Sequence, residues 1–194
     1  NGKTWEIKNS VAGYSGEGYF VTPDKGKSYN SDFKTKSPEL QYRIQLDNPG
    51  LYYVWIRGRG PKGGSDTVHV GIDGTAPSTS DRINFSPNGQ WIWSKNTMDL
   101  DASGNPLRPA VQISEAGWHT LNVWMREDGF IFDKILLTQD ANFVPAGLGP
   151  EESSRAVAGI DLISPVFVTA SAYTLTYRIG GKKITKPVTL TAGE

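Results

Sequence analysis

WMREDGFIFDKILLT, residues 124–138, sets two apolar runs on either side of Arg126, Glu127, Asp128 and Gly129. The second run, FIFDKILL (130–137), is apolar almost throughout and reads as a buried strand. Just upstream, HTLNVWM (119–125) alternates: Leu121, Val123 and Met125 share one face, Thr120, Asn122 and Trp124 the other. A two-residue period on both sides of a charged turn predicts β structure. The turn itself admits three roles: an active site, a binding rim, or a solvated hairpin.

The same period recurs outward from this stretch. LQYRIQL (40–46) puts Leu40, Tyr42, Ile44 and Leu46 on one face, and DNPG (47–50) supplies a turn. LYYVWIRGR (51–59) sets Leu51, Tyr53, Trp55 and Arg57 against Tyr52, Val54 and Ile56. After the loop GPKGG (60–64), DTVHVGI (66–72) directs Val68, Val70 and Ile72 inward. No stretch holds a 3.6-residue period for three turns, and glycine and proline interrupt throughout. Short strands at this spacing predict an all-β fold, a β-sandwich.

Residues 75–110 are polar and irregular, with Trp91 and Trp93 inside NGQWIWS. Loops of this length in a compact domain are usually functional; the alternative is one more strand with one ring buried. The sandwich is therefore expected over 1–138, a turn-rich linker over 139–158, and a β-rich appendage or a further domain over 159–194. In the last segment ISPVFVTAS and AYTLTYRIGGKKITKPVTLTAG regain strand character, with GG as a hairpin turn.

The 194 residues carry 20 Lys and Arg against 20 Asp and Glu, so no global charge draws the chain to nucleic acid or to an anionic membrane. With no cysteine, disulfides and thiolate metal sites are excluded. Six tryptophans and eight tyrosines among many turn residues favour a domain with exposed rings.

Catalysis needs convergent groups. Glu127 and Asp128 are adjacent and point to opposite sides of an extended segment, whereas glycosidases set two carboxylates across one bond. His69 and His119 are far apart, and neither a nucleophile elbow nor a phosphate loop is present. Carbohydrate binding uses what the chain supplies: rings that stack on the C–H faces of sugars, with charged and amide groups for the hydroxyls. The candidate contacts are Tyr14, Trp91 and Trp93, with Arg57, Arg59, Arg126, Glu127 and Asp128 at strand ends. The ligand is expected to be anionic, with Arg57, Arg59 and Arg126 converging on a uronate or sulfate and Lys62 close behind; if the adjacent acids neutralise them, the cleft suits neutral sugars.

The order W…GYSGEGYF, ELQYRIQLDNPGLYYVWIRGRG, SDTVHVGIDG, NGQWIWS, GWHTLNVWMREDGFIFDKILLT over residues 5–138 resembles carbohydrate-binding modules of families 6 and 35. It is also similar to the C-terminal module of family 115 glycoside hydrolases. The resemblance implies a galactose-binding-like, jelly-roll sandwich and a non-catalytic module of a secreted polysaccharide-degrading enzyme. Its ligand would be a polysaccharide or oligosaccharide held by end loops, with no nucleic-acid or membrane partner, and the module is expected to be a monomer. Trp91 matches the family's loop tryptophan, Tyr14 the aromatic of the GYSG segment, and Asp133 an aspartate that helps to hold a structural Ca2+. Two departures stand out. The E-x-E pair that supplies calcium ligands in relatives is not found before Trp5, and Ile131 replaces a sugar-binding asparagine. The alternatives are an adhesive or structural surface module and, third, a polysaccharide lyase or hydrolase.

Overall fold

The computed structural model describes residues 4–94, 96–154, 161–162, 172–179 and 182–189, and the chain divides into two compact units, Asn1–Pro150 and Glu151–Glu194. Among its described residues the first unit holds ten strands: β1 (Glu6–Lys8), β2 (Tyr19–Val21), β3 (Glu39–Leu46), β4 (Gly50–Arg59), β5 (Thr67–Ile72), β6 (Ile83–Asn84), β7 (Ile92–Ser94), β8 (Ala110–Ile113), β9 (Gly117–Met125) and β10 (Ile131–Thr138). One short helix, α1 (Phe33–Lys36), precedes β3. It was not expected, because four residues cannot show a helical period.

Two antiparallel sheets form a β-sandwich. One runs β1-β2-β10-β4-β7, with β8 also on β4; the other runs β3-β9-β5-β6. The inward rows follow the alternation in the sequence. Val54, Ile56 and Phe132 from one sheet, with Phe130 at the end of the arch, meet Val68, Val70, Leu121 and Val123 from the other, all 2 % exposed or less. Burying such side chains contributes about 1.5–3 kcal/mol each before the entropy of ordering them is charged.

Two short turns of the first unit join opposite sheets instead of making hairpins. β3 and β4, joined through DNPG, lie in opposite sheets, and so do β9 and β10 around Arg126–Gly129. The turn of the opening stretch is therefore an arch across the sandwich end, which excludes the solvated hairpin, the alternative to the expected binding rim. Its reason is the core: Met125 and Phe130 are both fully buried, so the chain must turn where the two inner faces meet.

The first unit also extends past Thr138. Residues 139–150, expected as part of a linker, lie over the outer face of β4 and β10. Arg57 Nε donates to Gly147 O (3.0 Å), Lys134 Nζ to Leu148 O and Pro150 O, and Arg108 Nη1 to Ala141 O. Under this strap Trp55 is 3 % and Arg57 6 % exposed, although both stand on the row facing away from the core.

The second unit contains β11 (Asp161–Leu162), β12 (Ala172–Ile179) and β13 (Lys182–Thr189), antiparallel in that order, with Ile179 opposite Lys182. The strand expected over ISPVFVTAS (163–171) and the GG turn lie outside the described residues.

Candidate functional site at the end of the sandwich

β4 carries Arg57 to the corner where the 12–15 loop, β7 and the strap meet. Its Nη1 contacts Asp133 Oδ2 at 2.5 Å, and the side chains are only 8 % and 0 % exposed. Asp133 Oδ1 accepts from Ser15 N (2.8 Å) and Ser15 Oγ (3.1 Å). The aspartate thus ties the GYSG loop to β10 and balances the buried guanidinium. The Arg57 guanidinium also lies 5.0 Å from the Trp91 ring centroid.

Trp91 Nε1 donates to Ala12 O at 2.7 Å, and a Cβ on Gly13 would sit 2.9 Å from the indole. Gly13 has φ +97, so it serves both the left-handed backbone and this close approach. Tyr19 meets Trp91 and Tyr14 edge-on, each with centroids 5.9 Å apart. Trp93 Nε1 donates to Gly147 O at 3.1 Å, the same carbonyl that holds Arg57. Tyr14, Trp91 and Trp93 are all half-buried, presenting part of each ring outward. Beside Trp93 a cavity of about 460 Å³ opens between β6 and β7, lined by Asp66, Asn84, Asn96, Ser86 and Ile92 among others. Its size falls in the range of ligand pockets. Arg59 flanks this end with its side chain against Gly89, where a Cβ would lie 3.1 Å from a guanidinium nitrogen.

The arch residues face inward. Asp128 is 0 % exposed, and its carboxylate accepts from Lys25 N (2.8 Å) and Lys27 N (3.0 Å). Gly129 N donates to Thr22 O and Asp128 N to Lys27 O, so the arch and loop 22–29 are laced together. The expected rim role is corrected for Asp128: buried amides take its oxygens. Arg126 Nη1 donates to Glu127 Oε1 and Thr67 Oγ1, both at 2.6 Å. Glu127 Oε2 accepts from Asp66 N. Burial, then the hydrogen bond and charge of Glu127, push the Asp66 carboxyl up to about 6. Burial also acts to raise Glu127, but the hydrogen bonds from Asp66 and Thr67 and the Arg126 charge override it and hold Glu127 low. One proton is thereby shared within the pair at mildly acidic pH.

Of the nine residues singled out from the sequence, Tyr14, Arg57, Trp91, Trp93 and Asp133 come together, Arg59 stands nearby, and Arg126, Glu127 and Asp128 form an internal network. Three of the four cations expected to meet an anionic ligand meet carboxylates of the chain instead: Arg57 meets Asp133, Arg126 meets Glu127, and Lys62 meets Asp24 at 2.6 Å. A cation at Asp133 would have to displace both Arg57 and Ser15, so this aspartate does not suit Ca2+. Among the described residues no group of three or more His, Cys, Asp and Glu side chains is placed to hold a metal. Sequence reasoning missed Ser15, Tyr19, Asp66 and Gly147. The S of GYSG was the one local signal, since a hydroxyl next to a loop aromatic is a ready donor to a carboxylate.

Known proteins place this architecture. A solved structure, the GH26-CBM35 β-(1,4)-mannanase of Podospora anserina, matches 75 % of this chain and 26 % of its own length, with TM-score 0.50 and 19 % identity. At that identity the likeness speaks for the fold alone. An uncharacterized protein of Formosa agariphila, P23, is 36 % identical over 124 residues, covering 61 % of this chain and 30 % of the relative. The chain therefore spans less than a third of either protein. No helix among the described residues is long and apolar enough to cross a membrane. The description "Glycosyl hydrolase family 115 C-terminal domain" matches residues 1–152, the strap included, and the chain belongs to that family.

Proposed function

We propose that this chain is a carbohydrate-binding accessory domain that holds a neutral polysaccharide without cleaving it, as a monomeric part of a secreted polysaccharide-degrading enzyme. The observation that carries the proposal is the sandwich end itself: Tyr14, Trp91 and Trp93 are half-buried around a fixed Arg57, beside a polar cavity of about 460 Å³. Rings held at their edges by hydrogen bonds present their outer parts at little entropic cost, which suits stacking on sugar faces. Membership of a glycosyl hydrolase C-terminal family supports the ligand class. The pairing of Arg57, Arg126 and Lys62 with Asp133, Glu127 and Asp24 supports a neutral glycan over an acidic one.

Two local features support binding without catalysis. Asp133 and Asp128 are saturated by donors of the chain, and Asp66 and Glu127 touch each other, whereas a glycosidase pair stands about 5–9.5 Å apart. Calorimetry against mannohexaose, xylohexaose and polygalacturonate tests the proposal. Trp91→Ala and Trp93→Ala should each lose about 1–3 kcal/mol of binding, by analogy with ring stacking on other flat ligands. Full affinity in both variants would remove this corner from the site, and release of reducing ends from any of the three would overturn the non-catalytic reading.

A further inference from the structure

The outer face of the four-stranded sheet lies away from the end loops and carries its own arrangement of ligand-type groups. On β9 the outward row is Trp118, Thr120, Asn122 and Trp124; on β3 it is Glu39, Gln41, Arg43 and Gln45. The register sets them opposite one another: Gln45 with Trp118, Arg43 with Thr120, Gln41 with Asn122 and Glu39 with Trp124. From Trp118 to Trp124 the row runs about 20 Å at the usual rise of a strand. Trp118 is 49 % exposed, and Arg43 holds its ring through a cation–π contact at 4.8 Å.

At the other end of the row the face deepens into a cavity of about 440 Å³ lined by Lys34, Glu39, Gln41, Asp73, Thr120 and Asn122, among others. Its walls are rigid. Asn122 is 2 % exposed and fixed at both ends of its amide: Nδ2 donates to Glu39 Oε1 (2.6 Å) and Oδ1 accepts from Gly74 N (2.9 Å). Asp73 Oδ1 accepts from Thr120 N at 2.8 Å and Oδ2 from His119 Nδ1 at 2.7 Å. The 73–75 turn folds back onto the sheet because residue 71 is glycine; a Cβ there would lie 2.2 Å from Thr75 O and 2.7 Å from Trp124 Cζ3. A rigid polar cleft running into an exposed, oriented indole is the pairing a sugar chain requires: stacking at one unit and hydroxyl contacts at the next. Glu39 and Asp73 both line the cleft, so an acidic chain would meet two carboxylates there.

We propose that this face is a second glycan-binding surface, taking a neutral oligosaccharide along Trp118, Arg43 and Gln41 into the cleft between Glu39 and Asp73. The ligand class rests on the function proposed above; the site rests on a different sheet and different side chains. Calorimetry of the whole chain with mannohexaose, xylohexaose and polygalacturonate separates the two claims, using Trp118→Ala and Gln41→Ala for this face and Trp91→Ala for the sandwich end. Expected is a binding event with a neutral hexasaccharide that persists in Trp91→Ala and weakens about tenfold in Trp118→Ala and in Gln41→Ala. Trp118→Phe should recover part of the loss, and the Trp118 and Gln41 variants should melt like the parent chain, because those two side chains are exposed. If Trp91→Ala removes all binding while Trp118→Ala and Gln41→Ala match the parent, the second surface is overturned and the end site stands. If the Trp118-dependent event answers only polygalacturonate, the neutral ligand class is overturned. If the parent chain binds none of the three probes, both proposals fall together.

Discussion

Asp133 shows how a single carboxylate can be committed three ways. It accepts two hydrogen bonds from Ser15 and one from Arg57, and its side chain is 0 % exposed. Replacing it by asparagine leaves the Arg57 charge buried without its counter-ion. Asp133→Asn should cost about 3 kcal/mol or more, read by urea unfolding, and the double variant with Arg57→Met should be less destabilised than Asp133→Asn alone. Such a saturated aspartate also predicts that adding calcium or a chelator leaves the melting temperature unmoved, since a ligand that binds the folded state would raise it. The two histidines titrate with opposite consequences. His69 donates from Nε2 to Tyr29 O (2.9 Å), accepts at Nδ1 from Arg82 N (3.1 Å), and stacks on Phe33 at 3.8 Å. Burial lowers it from 6.5 to about 4, opposed by the bond to Tyr29 and aided by the charges of Arg126 and Arg82. Its neutral form therefore supports the fold above pH 6.5, and that support is lost as pH falls from 6.5 through about 4. His119 is raised above 6.5, first by its hydrogen bond to Asp73, so its contribution is full below 6.5 and fades as pH climbs through the raised value. An NMR titration resolving both rings should give a midpoint near 4 for His69 and one above 6.5 for His119; a His69 midpoint at its ordinary value would refute the buried, neutral ring.

Among the elements, strands were the most legible. Alternation in LQYRIQL, DTVHVGI and HTLNVWM announced both the strands and their inward rows, because a pleated chain with one buried face has to show that period. What stayed hidden was which sheet each strand joins: a short turn is compatible with a hairpin or with an arch, and the choice is made by distant partners. The strap was misread for a related reason. A covering segment and a linker share the same turn-rich composition, so 139–150 looked like spacer. The signal lay elsewhere, in the outward row Tyr53, Trp55, Arg57 of β4, which is too aromatic to face water. Asp128 was misread as surface because the amides that claim it belong to loop 22–29, about a hundred residues earlier. A chain ending at Thr138 should melt well below one ending at Pro150, because it bares Trp55 and the Arg57–Asp133 pair, whereas removal of 151–194 should leave the first unit's cooperative transition intact.

For the whole molecule, the balance of 20 cations and 20 anions is repeated at the site, where each convergent cation except Arg59 faces an internal carboxylate. Binding to a neutral glycan should therefore be nearly indifferent to sodium chloride. Contacts between exposed charges, by contrast, are screened over about 8–10 Å near physiological salt. Titrations at low and high salt check this; a steep loss of affinity with salt would restore an acidic ligand. Most of the sandwich and the aromatic corner could be read from the chain. The charge state of the corner could not, because it depends on which acid each arginine meets after folding.

The carbonyl of Gly147 receives Arg57 from 90 residues upstream and Trp93 from 54 upstream. During synthesis, then, the corner cannot be finished while the ribosome is still adding the strap: the Trp93 ring and the Arg57 guanidinium exist for some time without their final anchor. Such long-separation closures are slow, and they leave apolar surface open to chaperones or to other nascent chains. A lesion at Gly147 or Gly149 should accordingly surface first as poor yield on expression, before any weakness appears in the purified protein.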